Sequence, residues 1–157
     1  MKKGFSMKEL KRDIWIGIVF SVIAGTLAHF VYEWSGKSPI AAIFFPVDES
    51  VWEHVKLLFF PTLFYCFFLI NKWKKIYPCI VPSVPIGIVI GSLSIPALFY
   101  FYTAILDFHL LVLDILIFIL SVFITFFLIY KLTLSCKITG KIGWILLAIL
   151  GISFLMK

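Results

Sequence analysis

A chain of 157 residues that is 62% hydrophobic and 14% charged is too apolar for a soluble domain, which is nearer half apolar and a quarter charged. Its apolar residues fall in blocks close to the ~20 residues that a helix needs to cross a bilayer. The net charge of +6 is not a nucleic-acid footprint, because the basic residues sit in short loops between those blocks. Residues 1–157 therefore read as a single integral membrane domain, an all-α polytopic transmembrane helix bundle of about five spans.

In chain order, Met1 to Asp13 is a basic, amphipathic start expected to lie on a membrane surface. Residues 14–34 form the first span. A cleaved signal peptide is the rival reading, on the small-residue stretch Thr26-Leu27-Ala28, but the apolar run continues past it. The short apolar insert Pro39 to Phe45 cannot span and is expected to be interfacial or re-entrant. The second span is 48–70. Ser50-Val51-Trp52-Glu53 fits a capping box, with the Glu53 carboxylate reaching back to the cap amide. Pro61 inside it removes one backbone donor and frees a carbonyl. The third span, 79–103, carries Gly87 and Gly91 as a G-x-x-x-G pair that lets another helix approach closely. The fourth is 109–130. The fifth, 142–156, is short and fits only a thin or locally compressed bilayer.

Eleven of the fourteen Lys and Arg residues lie in the N-terminal arm and in the loops around Lys72–Lys75 and Lys131–Lys141. On the positive-inside rule the N-terminus is then cytoplasmic, and five spans put the C-terminus outside. Three cysteines, Cys66, Cys79 and Cys136, show no metal or disulfide spacing and read as reduced, small apolar packers.

With that topology, six of the eight acids and all three histidines gather in the outer half. Each charge inside a bilayer costs at least about 2.5–3.5 kcal/mol, so such a gathering implies mutual pairing, water, a metal or a substrate. His29 and Glu33 are i, i+4 on the first helix; Glu49 and Glu53 are i, i+4 and would share one face of the second. Asp114 lies deeper in the fourth. The expected binding pocket is His29, Glu33, Glu49, Glu53, His54 and Asp114, with Glu53 and His54 as catalytic candidates. His29, Glu53 and His54 are the candidate metal ligands, and zinc is the cofactor that imidazole and carboxylate suit. Against this, there is no H-E-x-x-H motif, and Glu53 and His54 point about 100° apart on a helix.

Two stretches carry a family resemblance: Ala28-His29-Phe30-Val31-Tyr32-Glu33-Trp34-Ser35-Gly36 and Phe45-Pro46-Val47-Asp48-Glu49-Ser50-Val51-Trp52-Glu53-His54-Val55-Lys56-Leu57. With Tyr102-Thr103-Ala104-Ile105 and Asp114-Ile115-Leu116-Ile117-Phe118, they resemble small multi-pass bacterial membrane proteins classed as a domain of unknown function. Those proteins occur mainly in Gram-positive, Clostridia-like bacteria. The resemblance implies a bacterial plasma-membrane location and assigns no activity. Three functions stay open at this point: an acid/His pocket for a cation or polar headgroup, extending to a metal-dependent membrane hydrolase; a small proton- or ion-coupled transporter or transporter subunit; and a non-catalytic membrane scaffold. The expected partners are the lipid bilayer and either a second copy or another membrane protein, with no nucleic acid.

Overall fold

The computed structural model describes residues 2–137 and 140–155. Its helices are α1 (Lys2–Trp34), α2 (Pro39–Phe44), α3 (Val51–Trp73), α4 (Ile80–Leu106), α5 (Leu111–Ser135) and α6 (Ile142–Ser153), and no strand occurs among the described residues. Four of them, α1, α3, α4 and α5, are long and apolar enough to cross a membrane. They run alternately up and down. α1 packs on α3 and α5, and α4 packs on α3 and α5, which closes a four-helix bundle with α6 laid against α4.

The outside of this bundle is apolar. Ile16, Val19 and Ile23 on α1, Phe64 and Phe67 on α3, and Leu116 and Phe127 on α5 all project outward. Hydroxyls lie inside instead. Thr62 donates to Ser21 across α1 and α3 (3.3 Å), and Ser94 donates to Ser121 across α4 and α5 (2.8 Å). In lipid, where apolar contact between helices gives little net drive, small residues and such bonds hold helices together. Gly87 and Gly91 serve that purpose. A methyl group at Gly87 would lie 2.5 Å from Ile129, and one at Gly91 would overlap the Thr125 hydroxyl. The helix that this glycine pair admits is α5 of the same chain.

One expectation, for the start of the chain, changes. The basic arm is not a separate surface segment but the first turns of α1, continuous with the first span. Asp13 is the reason. Its buried carboxylate meets Lys72 Nζ at 2.6 Å and accepts from the Trp73 indole at 2.8 Å, while its backbone carbonyl accepts from the Tyr65 hydroxyl at 2.6 Å. Those contacts bind the start of α1 to the end of α3. Trp73 is thereby buried. At the other terminus α6 has 12 residues, about 18 Å of helix against the ~30 Å of a hydrocarbon core. The fifth segment is a shorter apolar helix, as its short run in the sequence indicates. Met156 and Lys157, the end of the expected fifth span, lie outside the described residues.

The cysteine reading also changes. Cys79, just before α4, and Cys136, just after α5, are disulfide-bonded with Cα atoms 5.3 Å apart. They are 57 residues apart in sequence, and only the antiparallel packing of α4 on α5 brings them together. Cys66 is free and buried, as a packing residue should be.

Candidate metal centre

At the end of the bundle opposite the lysine-rich loops, the chain leaves α2 through Phe45-Pro46-Val47-Asp48-Glu49 and enters α3 at Val51. Ser50 is the N-cap; its hydroxyl accepts from the Glu53 amide at 3.4 Å. Asp48 accepts from the Ser50 amide, at 2.9 Å. The Glu53 carboxylate accepts from the Val47 amide (3.1 Å) and from Lys56 Nζ (2.8 Å), and Lys56 Nζ also donates to the Ala42 carbonyl (2.9 Å). Glu53 is 1% exposed and Lys56 3%. This buried pair fastens α2 and the loop onto the first turn of α3. The shared face expected of Glu49 and Glu53 does not form, because α3 begins after Glu49. Glu49 sits on the loop and turns the other way, toward two histidines.

His54 lies one turn into α3. Its Nδ1 is 2.9 Å from the Ser50 carbonyl oxygen. A carbonyl only accepts, so Nδ1 is the donor in this contact and Nε2 is the ring nitrogen turned toward Glu49. His29 arrives from α1. Its height is set one turn lower, where Gly25 passes the Leu57 carbonyl; a methyl at Gly25 would lie 2.5 Å from that oxygen and 2.6 Å from the Phe118 ring. Leu57 is four residues before Pro61, so its carbonyl is the one that Pro61 leaves without a helical donor. The glycine thus lets α1 close over this exposed backbone, and the closure brings His29 and His54 to a ring separation of 5.3 Å.

Glu49 Oε2 stands 3.5 Å from His29 Nε2 and 3.4 Å from His54 Nε2. One ligand atom from each of the three residues lies within 4.8 Å of the others. A tetrahedral ion with bonds of about 2.0–2.1 Å holds its ligand atoms about 3.3–3.4 Å apart. Two edges of such a tetrahedron are therefore already formed. The Glu49 side chain is 81% exposed, against 34% for His29 and 30% for His54, so the centre is open to solvent on the carboxylate side.

The other residues of the expected pocket lie elsewhere. Glu33 forms a surface pair with Lys37 at 3.6 Å, both exposed. Asp114 accepts from the Tyr102 hydroxyl and faces His109 Nδ1 at 3.7 Å, while that tyrosine oxygen accepts from the Leu110 amide at 3.3 Å. Asp114 thus closes the α4–α5 turn. Glu53, expected as a metal ligand and catalytic group, is committed to Lys56, and Glu49 stands in its place beside the histidines. Gly25 is the residue that sequence reasoning missed. Its signal was present, as a small residue one turn from His29 on the same face.

A family model described as a family of unknown function, DUF6512, matches residues 1–156. The chain belongs to DUF6512. No curated protein and no solved structure matches it. Membership in DUF6512 carries no residue role with it, so the roles here rest on geometry.

Proposed function

We propose that this membrane protein binds one first-row divalent cation, zinc foremost, between His29, Glu49 and His54, and uses the open side of that ion for hydrolysis. The observation that carries the reading is the pair of 3.4 and 3.5 Å separations between Glu49 Oε2 and the two Nε2 atoms. Two imidazoles and one carboxylate with a fourth position free is a ligand set of catalytic zinc sites. The Ser50 carbonyl holds His54 Nδ1 and so orients the ring, as outer partners of metal-bound histidines do. An ion held by His29, Glu49 and His54 would supply Lewis-acid chemistry for hydrolysis at its open side.

A scaffold reading accounts for the Glu53–Lys56 and Asp13–Lys72 pairs, which are internal ties between helices. It gives no reason for two half-exposed imidazoles around one exposed carboxylate. On the lysine distribution the centre faces away from the cytoplasm at a bacterial plasma membrane. Zinc titration of the purified protein tests the reading. One equivalent should bind per chain, and Glu49→Gln should weaken it by at least about 100-fold, since loss of mere outer-sphere support costs 10–100-fold. Equal affinity in wild type and Glu49→Gln overturns it.

A further inference from the structure

A groove of about 790 Å³ runs along the outer side of α3, between α1 and α6. Ala28, Phe45, Phe60, Phe64, Phe67 and Ile70 line it, and no charged side chain does. From Phe60 to Ile70 it follows α3 for about 15 Å. Its volume falls within the ~300–1,000 Å³ of small-ligand sites. Phe64 and Phe67 remain strongly exposed, so the groove is open sideways, on the apolar outside of the bundle.

None of His29, Glu49 and His54 lines the groove, but chain neighbours of two of them do, at its upper end. Ala28 lines the groove and the next residue is His29. Phe44 and Phe45 close the groove, and four residues later the same strand of chain presents Glu49. The segment between them is the one locked down by Lys56, which holds both the Ala42 carbonyl and Glu53. A buried ion pair is a costly way to hold a loop in an apolar bundle. Here it fixes an apolar slot and a set of metal ligands in one rigid relation. Ile40 and Phe44 of α2 are exposed at this level, and so is Trp34, a residue type that favours the lipid–water boundary.

We propose that this groove holds one hydrocarbon chain of a membrane lipid, with the lipid's oxygen-bearing head at the His29–Glu49–His54 centre. The head placement rests on the metal reading above; the tail placement rests on the groove alone. An occupant buried among Phe60, Phe64 and Phe67 has no polar partner there, which suits an acyl chain, and the sideways opening admits it from the bilayer without exposure to water.

The test is photolabelling of the full chain in nanodiscs that contain phosphatidylglycerol with a diazirine at the tail end, followed by peptide mapping. Label should concentrate on residues 24–31 and 60–70, several-fold above the outward-facing Leu116, Leu120, Phe123 and Phe127 of α5. Leu27→Trp, a change at an exposed groove position, should cut the groove label several-fold, while Leu116→Trp on α5 should leave it unchanged. Equal labelling of α3 and α5 overturns the proposal, and so does a groove that stays unlabelled because a second copy covers it. Zinc binding measured on the same sample separates the two claims. A labelled groove without zinc supports the tail site and overturns the metal reading. Zinc binding with uniform label does the reverse.

Discussion

Replacement of Lys56 by methionine tests the arrangement at its most strained point. The ammonium is 3% exposed and makes two hydrogen bonds, to Glu53 at 2.8 Å and to the Ala42 carbonyl at 2.9 Å. Methionine fills similar space, so packing changes little, but the Glu53 carboxylate, 1% exposed, loses its cation. Breaking a buried pair from one side costs about 3–5 kcal/mol, because the remaining charge is still desolvated. Glu53→Gln together with Lys56→Met removes both charges and should recover a large part of that loss, since apolar replacement of a whole buried pair is often near neutral. Denaturant unfolding in micelles, run on the wild type, both single variants and the double variant, reads the coupling directly. Zinc affinity should fall about 10–100-fold in Lys56→Met, because α2 and the Glu49 loop lose their fastening. A cost below about 1 kcal/mol, with zinc binding intact, would refute the claim that this pair holds the site together.

Four further outcomes follow. Gly25→Ala places a methyl 2.5 Å from the Leu57 carbonyl oxygen, so it should destabilise by about 1–3 kcal/mol and weaken zinc binding, while Gly151→Ala, where a methyl meets Phe59 only at an ordinary 3.5 Å, should leave zinc binding unchanged. A thiol count on the unreduced, unfolded protein should find only Cys66 free; three free thiols would contradict the Cys79–Cys136 bond. That bond lies at the lysine-rich end, where the positive-inside rule expects a reducing cytoplasm. Reporter fusions to the Asn71–Tyr77 turn therefore decide whether charge or sulfur reads the sidedness correctly, and an active external reporter there would reverse the proposed orientation. Acid should release the metal, because protons compete for the imidazole lone pairs: zinc affinity at about pH 5 should be well below that at about pH 7.5, and a flat profile would exclude histidine ligands.

The helices were legible because lipid imposes one rule on every residue that faces it. Runs such as Val55–Ile70 and Leu111–Tyr130 announce themselves by length and composition alone. The glycine pair at Gly87 and Gly91 also announced a close helix contact, and α5 makes it. The gathering of acids and histidines at one end could be seen, but not who meets whom. Glu49 and Glu53 look equivalent in sequence and differ completely in fate, because the helix starts between them and Lys56 claims one. Asp13 looked like an ordinary charge in a basic arm; only the end of α3, sixty residues away, makes it a buried anchor. The Cys79–Cys136 pairing likewise depends on antiparallel packing that no local spacing encodes. Local patterns set elements and depth, while partner choice came from long-range contacts.

The most direct measurement is the X-ray absorption fine structure of the zinc-loaded protein. Two imidazoles and low-Z oxygen ligands at about 2.0–2.1 Å are expected, falling to one imidazole in His29→Ala and in His54→Ala. A spectrum with sulfur ligands, or one unchanged by both substitutions, would contradict a metal centre built from His29, Glu49 and His54.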